Sequence, residues 1–508
     1  MGSLFTQDVY NQLIQMTKTK QLEFTDETIR LLFGHEAAED ENINRLKEYY
    51  LKTDIYNSMR SNIPLYILVG HKGVGKSALL KVLEIEDKEK GDVPIVVQPD
   101  DILNIDVRST SFLQKIRIWK DGLSDIVLYK LISSLNSPLS FQNEKANTWL
   151  TSVKELIGSC FGHKLNDLQK SKIHISNADF TVLFKNTLFT EKRVTVYLDD
   201  MDRGWKNSSE DIENLSAMLN AVRDLSRDTN NLNFRIALRS DVYYAVRTSD
   251  ETTDKIDGSV LWQSWTNHEI LVMLIKRIES FWGRDIDEEY LLSQKQSNIR
   301  NLLDSVFEER FHGAGHWANA PFSQVLMSLI RKRPRDLVKL CTWAAKRAAL
   351  HHHKLIMTDD LQDVFITYSN DRLTDTGNEY QSELPNVKEL LLKMKPTTKE
   401  LQGGHPCLFT HDELLKKLDN IVSMSHFTFK NGEKATAQNL AAFLYKINFL
   451  TARKNIGDEV QRLYYDENQY IYNTYTDFGY MYEIHPAYRW ALQPANIANI
   501  FEQIVLGD

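Results

Sequence analysis

Residues 63–80, IPLYILVGHKGVGKSALL, constrain this chain more than any other stretch. The run 63–70 is apolar, rich in strand formers and ends on glycine, while KSALLKVLEI after it has helical spacing. Gly70, His71, Lys72, Gly73, Val74, Gly75, Lys76, Ser77 and Ala78 therefore lie between a buried strand and a helix start. There the first N–H groups of the helix lack partners and, with the helix dipole behind them, form an anion site. The spacing matches the loop that cradles nucleotide phosphates. In that loop Lys76 is a point charge against the β- and γ-phosphates, and the Ser77 hydroxyl is a magnesium ligand.

A phosphate loop needs acids beside it, and RVTVYLDDMDRGW (193–205) supplies them. Val194 to Leu198 reads as a buried strand with Asp199 and Asp200 at its carboxyl end. In an open parallel sheet, ligands bind outside the carboxyl ends of the strands, so these acids belong next to the loop. Asp199 is the candidate to hold magnesium, directly or through water. Asp200 or Asp202 is the candidate to orient and deprotonate the attacking water. Two more strands follow from VPIVVQPDD (93–101) and LNFRIALRSD (232–241). Arg239 at the end of the latter either reaches a γ-phosphate or pairs with Asp241. The short helix DVYYAVR ends at Arg247, which is placed to serve a neighbouring subunit as an arginine finger.

These motifs resemble AAA+/STAND-class P-loop ATPases, and LDDMDR is similar to the LDDxDR signature of bacterial KAP-type NTPases. The segment FGHEAAEDE (33–41) is similar to one found before the P-loop in bacterial ATPases encoded beside phage-defence genes. The likeness covers most of residues 30–375. One departure stands out: such enzymes usually have Asp-Glu at the strand end, and this chain has Asp199-Asp200. The resemblance implies an ATP-hydrolysing enzyme with ATP and Mg2+ as cofactors. It also implies a homo-oligomer and a place in an antiphage system beside a separate effector protein. It makes 261–282 the passage into a helical lid, and 333–348 a lid helix in which Arg335 is a second sensor arginine. Spacing alone gives that helix an apolar stripe of Leu337, Leu340, Ala344 and Ala348, with Pro334 at its start.

The expected fold is α/β, an αβα P-loop NTPase with a parallel sheet, a helical lid and a C-terminal winged-helix domain. Its expected parts are an N-terminal helical segment (1–50), an ATPase core (51–260) with a helical insertion near 110–190, the lid (261–375), and a winged-helix-like domain (385–508). Residues 370–385 are polar and read as the linker to that last domain. HDELLKKLDNIV and ATAQNLAAFLYKINFLTARK read as its helices, and residues 462–492 as its hairpin and closing helix. Acidic and basic residues nearly balance there, which favours a protein partner over duplex DNA, whose phosphates demand lysine and arginine.

Composition excludes some alternatives. A net charge of -8 argues against a general polyanion binder. Three widely spaced cysteines (Cys160, Cys341, Cys407) form neither a disulfide framework nor a metal knuckle. No apolar run is long enough to span a membrane and no signal-peptide pattern opens the sequence, so a cytoplasmic protein without a membrane partner is expected. His351-His352-His353 reads as a solvated helix end, and His312 and His316 as loop residues.

Overall fold

Five parallel strands run in the order β2 (Val93–Val97), β3 (Val194–Leu198), β4 (Leu232–Arg239), β1 (Leu65–Gly70), β5 (Val260–Trp262). Every residue of β1 and β3 is buried, and so is every residue of β4 but the last. This is the pattern of strands covered on both faces, and it explains why all three are continuous apolar runs. Helices Lys76–Lys90, Phe112–Asn136, Ser209–Asp228 and Ser240–Ser249 pack on the sheet. Leu123, Val127 and Leu131 of the second and Ala217, Leu219 and Val222 of the third join one core with the strand residues. Pro94 is tolerated because β2 is an edge strand, where a missing N–H costs no ladder bond. The fold is therefore an α/β P-loop NTPase fold, as expected. The sequence did not foretell β5, which at three residues is too short to leave a periodic signal.

The computed structural model describes residues 22–108, 111–136, 177–186, 192–229, 231–249, 254–456, 459–468, 479–495 and 497–506, with 152, 155 and 156 besides. The chain divides into two units, Lys52–Gln263 and Met1–Leu51 with Ser264–Asp508. The sheet belongs to the first. Most of the insertion between 137 and 176, and Cys160 with it, lies outside the described residues.

In the second unit, helices Asp26–Phe33 and Ile43–Tyr49 pack against helix Asn267–Phe281. A capping box opens that last helix, with Thr266 and Glu269 each accepting the other's backbone N–H. Helix Pro334–Leu350 buries its predicted stripe completely: Leu337, Leu340, Ala344 and Ala348 are all solvent-inaccessible. A two-stranded hairpin, β6 (Arg310–His312) with β7 (Ala318–Pro321), precedes it.

The reading of 370–385 as a linker is corrected, because a helix runs from Phe365 to Tyr380. Asn370, Thr374 and Asn378 face solvent, but Ser369, Arg372, Thr376 and Glu379 are buried and three of these are paired inside. Arg372 meets Asp336, the Thr376 hydroxyl accepts from Arg331, and Glu379 pairs with Arg333. Polar residues on one face of a helix can be core residues when charged partners are buried with them.

Beyond it, helices His411–Met424 and Ala437–Lys446 lead into a four-stranded antiparallel sheet. The strand order is β10 (Glu459–Leu463), β9 (Leu450–Ile456), β11 (Met481–Ile484), β8 (Leu408–Phe409). The order helix, helix, hairpin is present, but the hairpin starts earlier than expected. The second helix stops at Lys446 instead of running to 454, and Asn448 turns the chain at φ +56° into β9. The expected hairpin segment falls partly on residues 469–478, outside the described residues.

Candidate functional site

The loop between β1 and helix Lys76–Lys90 is built on glycines that each do a separate job. Gly73 (φ +83°) and Gly75 (φ +95°) occupy left-handed conformations that a side chain would strain. Gly70 is needed for space: a Cβ there would lie 2.9 Å from the Gln263 carbonyl oxygen and 2.9 Å from Val74 Cγ2. Gly75 is also the N-cap, and no side chain caps the helix, so its first N–H groups face the loop. Lys76 Nζ donates to the carbonyls of Gly70 (2.8 Å) and His71 (3.0 Å), which holds the ammonium across the loop. His71 is buried, and its Nδ1 lies 3.1 Å from Ser240 Oγ, tying the loop to the residue after β4. The sequence motif counts position 71 only for its backbone, so this contact was missed.

Strand order sets the rest of the geometry. Because β4 lies between β1 and β3, the acids after β3 stand two strand spacings from the loop, about 9–10 Å in backbone terms. Side chains close that gap. The Ser77 hydroxyl is near enough to the Asp199 carboxylate to favour its charged form. Burial raises the Asp199 pKa, while the Ser77 hydroxyl and the nearby Lys76 charge oppose the rise. A hydroxyl and a carboxylate near one another beside an ammonium form an oxygen pair that can ligate a hard divalent cation such as magnesium.

The two water-activating candidates now differ sharply. Asp200 is exposed, sits at φ +61° and faces the exposed Arg203 at 3.6 Å. Asp202 is buried, with Oδ2 3.6 Å from Arg239 Nε, and feels the charges of Arg239 and Lys76. Burial raises its pKa, which suits a carboxylate that must accept a proton. Arg239 makes two bonds to Asp241 (3.1 and 2.6 Å), so the pairing anticipated for it is present, and its Nε also points toward Asp202. Lys76, Ser77, Asp199, Asp202 and Arg239 thus gather at one end of the sheet.

Arg247 is half exposed and pairs with Asp257 in its own chain at 2.9 Å. Arg335 belongs to the second unit, where its Nε donates to the Glu36 carbonyl at 3.1 Å. The neighbouring Arg333 is buried against Glu379. The histidines at 351 and 353 are not simply solvated, which corrects the expectation for them: both rings bond the buried carboxylate of Asp360. His312 Nε2 stands 3.3 Å from Glu308.

Residues 272–377 match the family described as FunZ-associated C-terminal helical domain. The chain is similar to an 80.3 kDa protein of transposon gamma-delta from Escherichia coli (strain K12), with 20% identity over 398 residues. That match takes in 73% of this chain and 54% of the relative, so the chain spans about half the relative's length. Among solved structures, Aeropyrum pernix ORC2 superposes over 90% of this chain and 97% of its own, at 11% identity and a TM-score of 0.39. The RuvB branch migration motor of Thermotoga maritima covers 84% and 96%, at 12% identity and a TM-score of 0.30. At these scores the superpositions add nothing to what the sheet and the loop establish. No described helix is long and apolar enough to cross a membrane.

Proposed function

We propose that this chain binds ATP with magnesium and hydrolyses it as an AAA+/STAND-like ATPase. The uncapped glycine loop with Lys76 held across it, at the same end of the sheet as the acids after β3, carries the reading. The loop N–H groups and Lys76 hold the phosphates, Ser77 and Asp199 hold the cation, and Asp202 takes the proton of the attacking water. Arg239 senses the γ-phosphate from the end of β4. Arg335 is the second sensor, and Arg247 acts across a homo-oligomer interface once it leaves Asp257. The test is phosphate release and ATP binding by the wild type and by Lys76→Ala. Loss of both supports the reading; normal release by Lys76→Ala ends it.

The ATPase serves a bacterial antiphage system, acting with a separate effector protein. This rests on the resemblance of the FGHEAAEDE segment and the strand-end acids. A DNA-binding initiator-like ATPase is one rival reading, with which the relative's origin in a transposon is in keeping, and a non-hydrolysing nucleotide-switched scaffold is the other. The charges of the C-terminal winged-helix-like domain favour a protein partner. Arg453, Arg462 and Arg489 all converge on the buried Glu483, so three of its arginines are committed inside the fold. Arginines spent on Glu483 are not available to phosphates.

A further inference from the structure

Helix Pro334–Leu350 ends in three histidines whose arrangement is unusual for a frayed terminus. His351 N donates to the Arg347 carbonyl, His352 N to Ala349 and His353 N to Ala348, so the chain turns tightly there. The turn places His352 at φ +58°, a left-handed conformation that costs a residue with a side chain about 1 kcal/mol or more. Its result is that the rings on either side of it come back together, with centroids 5.4 Å apart. Both Nδ1 atoms face Asp360, His351 at 2.6 Å from Oδ1 and His353 at 2.9 Å from Oδ2.

Asp360 is fully buried at the start of the next helix, Thr358–Gln362, and its Oδ2 also accepts the Met357 N–H at 2.8 Å. Asp359 adds a more exposed carboxylate 4.0 Å from His353 Nδ1. The ligand atoms of these four residues all lie within 4.8 Å of one another. The far nitrogen of His351, Nε2, stands 3.6 Å from Asp363, the position from which a carboxylate orients a ligating imidazole.

We propose that His351, His353, Asp359 and Asp360 form a binding site for a divalent transition-metal cation, zinc foremost. Two imidazoles and two carboxylates are a zinc-type donor set. Metal–ligand bonds of about 2.0–2.1 Å place tetrahedral donor atoms roughly 3.3 Å apart. The separations run from 2.6 and 2.9 Å, to different oxygens of Asp360, through 4.0 Å to at most 4.8 Å among the four donors, so an ion enters with shifts of about 1 Å per side chain. The negative end of the long helix adds a field that favours a cation. The ion would clamp the last turn of helix Pro334–Leu350 to the first turn of helix Thr358–Gln362. Its role is structural and is independent of the nucleotide site.

The test uses the full chain without a histidine tag, stripped of metal by a chelator and then dialysed against zinc chloride with saturating magnesium and ATP. Elemental analysis should find zinc retained in a one-to-one ratio with the chain, and cobalt in its place should give the intense visible bands of tetrahedral coordination. The His351→Ala/His353→Ala double variant should bind zinc about 100-fold or more weakly. If that variant fails to fold, Asp359→Ala removes an exposed ligand and should weaken zinc binding about 10-fold. No retained zinc in the wild type, or equal zinc affinity in the folded variants, overturns the site.

Discussion

Replacing Asp202 by asparagine separates the two acids that sequence alone left as alternatives. The change keeps the shape of the side chain and removes its charge. Arg239 stays in place, because its two bonds to Asp241 do not involve Asp202. What is lost is a buried carboxylate with a raised pKa beside Lys76 and Arg239. A positioned general base contributes about 10²–10⁴-fold, or roughly 2.7–5.4 kcal/mol of barrier. ATP affinity should hold or rise slightly, since a negative charge leaves the neighbourhood of the phosphates.

Asp200→Asn touches a side chain that is 60% exposed and opposed by an Arg203 that is 69% exposed. Such a pair is worth about 0–1 kcal/mol, so turnover should change less than about fivefold. Single-turnover phosphate release at saturating Mg–ATP, with nucleotide binding measured separately, distinguishes the two. In the wild type the acid limb of the rate profile should lie above the ordinary carboxylate range: the rate falls as pH drops through the raised pKa of Asp202. A larger loss from Asp200→Asn than from Asp202→Asn would refute the assignment, and so would an Asp202→Asn enzyme within fivefold of wild type.

Gly70→Ala should lower stability by about 1–3 kcal/mol and weaken ATP binding, because its Cβ must displace the Gln263 carbonyl or Val74; unchanged melting and affinity would count against the close-packed loop. Arg247→Ala should slow hydrolysis and spare binding, and mixing it with Lys76→Ala chains should restore some turnover; turnover per chain that does not vary with concentration, in a protein that stays monomeric, argues against a shared site. His485 is fully buried, and burial with the Arg462 and Arg331 charges lowers its pKa to about 3. Its Nδ1 accepts the Ala487 N–H, so the folded state holds the neutral ring, and the unfolded state takes up the extra proton as pH falls below about 6.5. Stability present above that value should therefore drop by about 2 kcal/mol between pH 7 and 5, and urea unfolding should show a smaller slope in His485→Gln. In phage plating, the gene with its natural neighbours should protect cells, and both Lys76→Ala and loss of the effector gene should abolish protection; full protection by Lys76→Ala would refute the role of ATP.

What the sequence made legible was what local periodicity encodes. Strands β1, β3 and β4 were readable because burial on both faces makes them continuous apolar runs, and the phosphate loop because its glycines have fixed steric duties. What it hid depends on partners distant in sequence. The polar helix Phe365–Tyr380 resembles a linker until Asp336 and Arg331, some forty residues earlier, are brought against it. Asp200 and Asp202 are equivalent on paper, since only the turn after β3 decides which carboxylate goes inward. The same holds for His351 and His353: a run of histidines has no periodic signal, and its meaning comes from the buried acid at 360. In each case burial has changed what a charged residue does, from being solvated to being answered by a specific partner. Such partners are costly to bury and costly to lose, which makes them the positions where a single substitution is most informative.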